Sequence, residues 1–227
     1  PALSLFHGNN DLLQRYMLKR ICRKADSVGL VHGTHVPSYL RNKSVALFDG
    51  IDTTAVFHAR AKTTLSINDP VLGKNWILTE KDKVLTLPSR IEINKGHMDM
   101  LAALVNIRQT IPDMRLVIAG PADNIPLKDE MVAYINEYNL RDNVIFTGSL
   151  STQEIAEVYA ISDVIALPSY TEGFPRVMLE AQAVGRPVVV YDVGGTSEAM
   201  IPSGEEQTGI LIKKASISGL ADAITTL

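Results

Sequence analysis

From Lys81 to the end of the chain, short apolar runs alternate with helix-length stretches, and this alternation constrains the fold more than any other feature of the sequence. Strand-length runs rich in β-branched residues read at 83–87, 114–119, 143–147, 164–167, 187–191 and 209–212. Between and after them, helices read at about 96–110, 127–138, 151–161, 175–184, 196–201 and 216–227. Ser151-Thr152-Gln153-Glu154 is a capping box, which fixes the start of the third helix. Strands alternating with helices through short loops run parallel and are joined by right-handed crossovers. The predicted architecture over 81–227 is therefore α/β, a Rossmann-like doubly wound parallel sheet. Such sheets place their ligands beyond the carboxyl ends of the strands.

The remainder of the chain is less regular. Residues 53–80 show no steady period and read as a connector, which the single tryptophan, Trp76, packs onto a domain. Asp49-Gly50-Ile51-Asp52 is a turn signal. Ahead of it, Leu12, Leu13, Tyr16, Met17, Ile21 and Cys22 fall at helical spacing, strands read at 27–31 and 44–48, and a brief helix opens at 36–40. Two strands and two helices are too little to enclose a core. Residues 1–52 are therefore expected to be the last part of a larger domain together with a hinge, and the chain to be a piece of a longer one.

Composition excludes several function classes. A net charge of −3 gives no footprint for nucleic acid. A single cysteine, Cys22, allows no internal disulfide, so a reducing, cytoplasmic setting is the expectation. No apolar run approaches the roughly 20 residues of a membrane span.

Candidate chemistry collects on the loops that follow the strands. Arg90 and Lys95 lie on the first of these loops, where a guanidinium fork and a point-charge ammonium suit a diphosphate. Two solvated surface charges would look the same, and the loop lacks the G-x-G-x-x-G of a dinucleotide site. After the strand at 164–167, Thr171-Glu172-Gly173-Phe174 forms a loop, and Pro175 fits the first position of the next helix. Glu180 lies within that helix, where a carboxylate can accept two hydrogen bonds from a ribose diol or simply pair with Arg176 at i, i+4. Glu172 reads equally as a ligand contact or as an anion near a helix N-terminus. Gly194 and Gly195 expose backbone N–H groups on a later loop, an anion-friendly edge or a plain turn. Gly120-Pro121 and Thr147-Gly148 close two further strands at the same edge. His32 and His35 have no third metal ligand in view, and no Asp-x-Asp pair, P-loop or G-x-S-x-G elbow occurs.

Together these positions resemble the carboxyl-terminal domain of a GT-B glycosyltransferase, specifically glycosyltransferase family 4, the glycosyl transferases group 1. Glu172-Gly173-Phe174-Pro175-Arg176-Val177-Met178-Leu179-Glu180 follows that family's paired-glutamate signature. Further matches fall in the right order: Gly50-Ile51-Asp52, Arg90 with Lys95-Gly96, Phe146-Thr147-Gly148, and Gly194-Gly195 with Glu198. The resemblance implies that Arg90 and Lys95 hold the donor diphosphate in place of a metal ion, with no cofactor. It implies that Glu180 binds the ribose and Glu172 the transferred sugar. Gly173, Phe174 and Pro175 would line the sugar pocket, and residues from Gly148 to Leu150 would border the base. Ser89 stands where the family usually has glycine, and Asp49 where it usually has asparagine.

The resulting expectation is a retaining, metal-independent hexosyltransferase of polysaccharide or glycoconjugate synthesis. It would move a sugar from a nucleotide-sugar donor to a saccharide or lipid-linked acceptor. The missing amino-terminal domain would supply the acceptor site and any peripheral membrane association. Alone, the chain would bind nucleotide and turn over poorly. A catalytically incomplete nucleotide-sugar-binding module and a nucleotide-sugar epimerase of the same fold are the alternatives.

Overall fold

The computed structural model describes residues 28–30, 44–46 and 50–227. The chain divides into two compact units, Pro1–Asp49 and Gly50–Leu227. In the first, β1 (Val28–Leu30) and β2 (Ser44–Ala46) pair in parallel. The expected early helices, with Cys22, His32 and His35, lie outside the described residues.

The second unit opens with a turn in which Asp52 Oδ1 accepts from the N–H groups of Thr54 and Ala55. Next comes an antiparallel hairpin, β3 (Leu65–Asp69) and β4 (Lys74–Leu78). Residues 53–80 are thus not a plain connector. The hairpin alternates as a half-buried strand pair should, with Ile67, Asp69, Trp76 and Leu78 buried and Ile77 exposed. Its period escapes a hydrophobic reading because its inward row ends on a carboxylate. Asp69 Oδ1 accepts from the N–H groups of Val71 and Leu72, and its Oδ2 from that of Phe146, so one buried side chain closes the turn and fastens the hairpin to the main sheet. Trp76 packs with Val117, Ile145 and Val158, as its sequence position implied.

Beyond the hairpin the alternation runs as expected. The elements are β5 (Val84–Leu87), α1 (His97–Ile107), β6 (Arg115–Ala119), α2 (Ile125–Glu137), β7 (Val144–Gly148), α3 (Thr152–Ile161), β8 (Val164–Leu167), α4 (Arg176–Ala183), β9 (Val188–Tyr191), β10 (Gly209–Ile212) and α5 (Ile217–Thr226). Ser151 and Glu154 complete the capping box at α3. Two readings need correction. Pro175 is the N-cap of α4 rather than its first helical residue. The stretch at 196–201 is a four-residue 3₁₀ turn, Thr196–Ala199, because Thr196 Oγ1 bonds back to the Tyr191 carbonyl and Pro202 follows closely.

The six strands form one parallel sheet in the order β10-β9-β8-β5-β6-β7. Alternate residues of a strand serve opposite faces, so the two faces pack separately, beside the cluster that holds Trp76. Val164, Ala166, Val189 and Tyr191 join α1, α2 and α5, whereas Ile165, Leu167, Val188 and Val190 join α3 and α4. β5, β8 and β9 are buried along their whole length, as a parallel sheet covered on both faces requires. Chain order reverses between β5 and β8, where successive connections leave in opposite directions and a crevice opens at the carboxyl ends. Among the described residues, no helix is long and apolar enough to cross a membrane.

Candidate functional site

The crevice between β5 and β8 is built by three loops that interlock through backbone. The first loop, after β5, ends in Lys95 and Gly96. Gly96 has φ 70°, and a Cβ there would stand 2.0 Å from the Pro168 carbonyl oxygen on the loop after β8. Gly194, on the loop after β9, has φ 53°, and its Cβ would stand 1.8 Å from the Glu172 carbonyl oxygen. Only glycine tolerates both the left-handed backbone and these approaches. Gly195 N–H donates to the Gly173 carbonyl at 2.8 Å, and Tyr170 N–H to that of Asn94 at 2.8 Å.

Two groups of side chains result. A cleft of about 560 Å³ is lined by Ser89 and Arg90 after β5, Gly120 and Pro121 after β6, Ser149 and Leu150 after β7, and Arg176 and Glu180 of α4. Phe57 and Tyr159 also line it, and their rings pack with centroids 6.2 Å apart. The cleft therefore brings together Arg90, Leu150 and Glu180 of the sequence-derived residues. Arg90 is exposed, with its Nε 3.6 Å from a Glu92 carboxylate oxygen. Glu180 Oε2 accepts from the Tyr159 hydroxyl at 3.2 Å. Burial pushes the Glu180 pKa up, while the Tyr159 bond and the Arg176 charge hold it down in part. The same desolvation, reinforced by Glu180, drives the Tyr159 phenol well above its ordinary value.

The second group lies where the first and fourth strand ends meet. Lys95 Nζ and Glu172 Oε1 pair at 2.8 Å, with side-chain exposures of 22% and 10%. Neither lines the cleft; each is the other's partner. Gly173, Phe174 and Pro175 also stand apart from the cleft lining, Pro175 buried and Phe174 packed against the core beneath α4. Gly148, at φ 68°, lines a neighbouring cavity of about 460 Å³ that shares Pro121 and Ser149 with the cleft.

Several site residues escaped the sequence reading. Tyr159 sits in a helix with no polar signal around its hydroxyl. Ser89 Oγ lies 3.3 Å from Nε2 of His97, whose pKa burial holds down to about 4. Asp99, in the first turn of α1, accepts the hydroxyls of both Tyr170 and Tyr191. Each partner lies on a different strand-to-helix unit, so no local spacing signals the contact. Among the described residues, no group of three His, Cys, Asp or Glu side chains is arranged to hold a metal ion.

Chemically, the crevice offers an exposed guanidinium, a paired ammonium, a partly desolvated carboxylate and a ring of loop backbone at a sheet edge. Comparison with known proteins places this arrangement in context. The profile of the family described as glycosyl transferases group 1 matches residues 72–227. A GDP-mannose-dependent alpha-(1-6)-phosphatidylinositol monomannoside mannosyltransferase from Mycobacterium tuberculosis is 30% identical over 224 residues, covering 94% of this chain and 55% of the relative. Sucrose-phosphate synthase from Thermosynechococcus elongatus superposes with a TM-score of 0.78 at 26% identity, covering 99% of this chain and 54% of that one. HepE from Anabaena, solved in complex with UDP-glucose, shares the fold at 20% identity with a TM-score of 0.73, over 93% of this chain and 56% of its own. The chain spans about half the length of these proteins.

Proposed function

This chain belongs to the glycosyl transferases group 1 family, and from that premise we propose that it is the donor-binding part of a retaining, metal-independent transferase. The donor is a nucleoside-diphosphate sugar and the acceptor a saccharide or lipid-linked glycan. The observation that carries the reading is the cleft that joins Arg90 to Glu180 across the sheet's switch point. A carboxylate whose burial raises its pKa gains from receiving hydroxyl donors, and a ribose diol supplies two. Arg90 lines the same cleft as Glu180, which supports a role on the diphosphate of a nucleotide anchored there, and Lys95 ends the same loop. Two similar proteins, one GDP-mannose-dependent and one solved in complex with UDP-glucose, support a nucleotide-sugar donor.

In this reading the chain's main task is to stabilise the leaving group. As the glycosidic bond lengthens, negative charge grows on the β-phosphate and positive charge on the sugar ring. Arg90 and Lys95 meet the first, and loss of one such pre-oriented donor costs about 10²–10³ in rate. Glu172, held by Lys95, keeps its second carboxylate oxygen for hydroxyls of the sugar. The bases of different nucleotides are met largely by backbone from Gly148 to Leu150.

Calorimetry with UDP, GDP and ADP on the wild-type chain and on Glu180→Ala and Arg90→Ala tests the reading. At least one nucleotide is expected to bind, about tenfold or more weaker in each variant. Absence of binding to all three overturns it.

A further inference from the structure

Asp99 lies off the cleft, yet it ties together the two strand ends whose loops carry Glu172 and Gly194. Its Oδ2 accepts the Tyr170 hydroxyl at 2.7 Å and the Tyr191 hydroxyl at 2.8 Å. Tyr170 follows β8 and lies two residues before Glu172; Tyr191 ends β9 and lies three before Gly194. The rings meet edge to face, 6.1 Å between centroids, and Tyr191 is fully buried. Downstream of this clamp the two loops touch again: Gly194 abuts the Glu172 carbonyl, and Gly195 N–H bonds that of Gly173. One carboxylate oxygen thus ties the segment that follows β8 to the end of β9, just beyond the last ladder pair of the two strands, Leu167 and Val190. The close Glu172–Gly194 approach lies immediately downstream of this tie. Asp99 also stands four residues after Lys95 on the same loop-to-helix junction. The anchor of the Glu172 loop and its ion-pair partner therefore move as one body.

We propose that Asp99 is a positioning residue for donor-sugar recognition: through Tyr170 and Tyr191 it fixes the Glu172 loop against Lys95 and the Gly194 turn. This rests on the reading that Glu172 contacts the transferred sugar. Both phenols stay protonated donors under ordinary conditions, Tyr170 pushed up to about 12 by its bond to Asp99, and Tyr191 raised by burial and the same bond. Arg90 and Glu180, which line the cleft, are not bonded by the clamp, and a Glu172 loop that loosens releases Lys95 rather than removing it, so nucleotide affinity does not fall with the loss of Asp99.

The test compares two ligand classes on one protein: UDP and GDP against UDP-glucose and GDP-mannose, by calorimetry on the 227-residue chain. Asp99→Leu is expected to weaken the bound nucleotide sugar about tenfold or more, while the matching nucleoside diphosphate binds at least as tightly as to wild type. Asp99→Asn, which keeps an acceptor oxygen for both hydroxyls, is expected to stay within about threefold of wild type for both. Should Asp99→Leu fail to fold, Tyr170→Phe combined with Tyr191→Phe removes the two bonds, keeps the rings, and must give the same split. Equal weakening of both ligand classes in a folded variant, or unchanged nucleotide-sugar affinity, overturns the positioning role. Wild type that binds neither class, or Glu172→Ala that leaves nucleotide-sugar affinity intact, refutes the underlying site reading instead.

Discussion

The Lys95–Glu172 pair leads to a prediction of unusual sign. The ammonium proposed for the diphosphate is paired with the carboxylate proposed for the sugar. At 2.8 Å, with an effective dielectric of about 20, the Coulomb attraction is about 6 kcal/mol. Desolvation of the two largely covered side chains takes back most of it, leaving about 1–2 kcal/mol of net coupling. Glu172→Gln keeps the shape and removes the charge, so Lys95 presents a full positive charge to a diphosphate. Affinity for UDP or GDP should therefore rise about three- to tenfold, while affinity for the corresponding nucleotide sugar falls. Lys95→Met alone should weaken the nucleotide, and in that background Glu172→Gln should no longer tighten it. Calorimetry on the four proteins closes the cycle, and the gain should shrink as salt is raised from about 0.05 to 0.5 M. Weaker nucleotide binding by Glu172→Gln, or a gain that survives in Lys95→Met, would refute the claim that the pair holds the lysine's charge in reserve.

Three further outcomes follow from the packing. Gly194→Ala places a methyl 1.8 Å from the Glu172 carbonyl on a left-handed backbone, and should cost about 2–4 kcal/mol in urea unfolding, whereas Gly50→Ala, with nothing within 4 Å, should stay within about 0.5. Asp69→Ala strands the N–H groups of Val71, Leu72 and Phe146 and should lower stability by about 3–5 kcal/mol, detected as a shift in urea midpoint at constant slope. His97 protonates near 6.5 when unfolded and near 4 when buried, so its neutral form supports the fold fully above 6.5 and is lost as pH falls toward 4. This loss should reach about 3 kcal/mol between those limits, and His97→Gln should flatten that part of the stability profile.

The sequence made β5 to β10 and the helices between most of them legible because the strands are short, largely apolar runs and those helices keep their period. It did not show β3 and β4, whose inward row ends on Asp69 and whose outward row includes Ile77, the reverse of what a hydrophobic count expects. The Pro175 and 196–201 boundaries failed at loop ends, where one hydrogen bond from Thr196 outweighs helical propensity.

The site was legible as a set of loops and not as a set of contacts. Sequence order puts Lys95 and Glu172 on different loops, 77 residues apart. They meet because β8 inserts beside β5 rather than beyond β7, and only the sheet order conveys that. The Asp99 clamp is further from reach, since its partners lie 71 and 92 residues away and a tyrosine at a strand end carries no mark of its bond. A paired-glutamate motif can therefore assign Glu172 and Glu180 by resemblance while saying nothing about what holds either in place. For Glu180 that support is one buried phenol, and for Glu172 it is a lysine, two glycines and a carboxylate in a helix that never touches the cleft. The two glutamates, eight residues apart in one short segment, consequently answer to different parts of the fold. Substitutions that loosen one should leave the other in place.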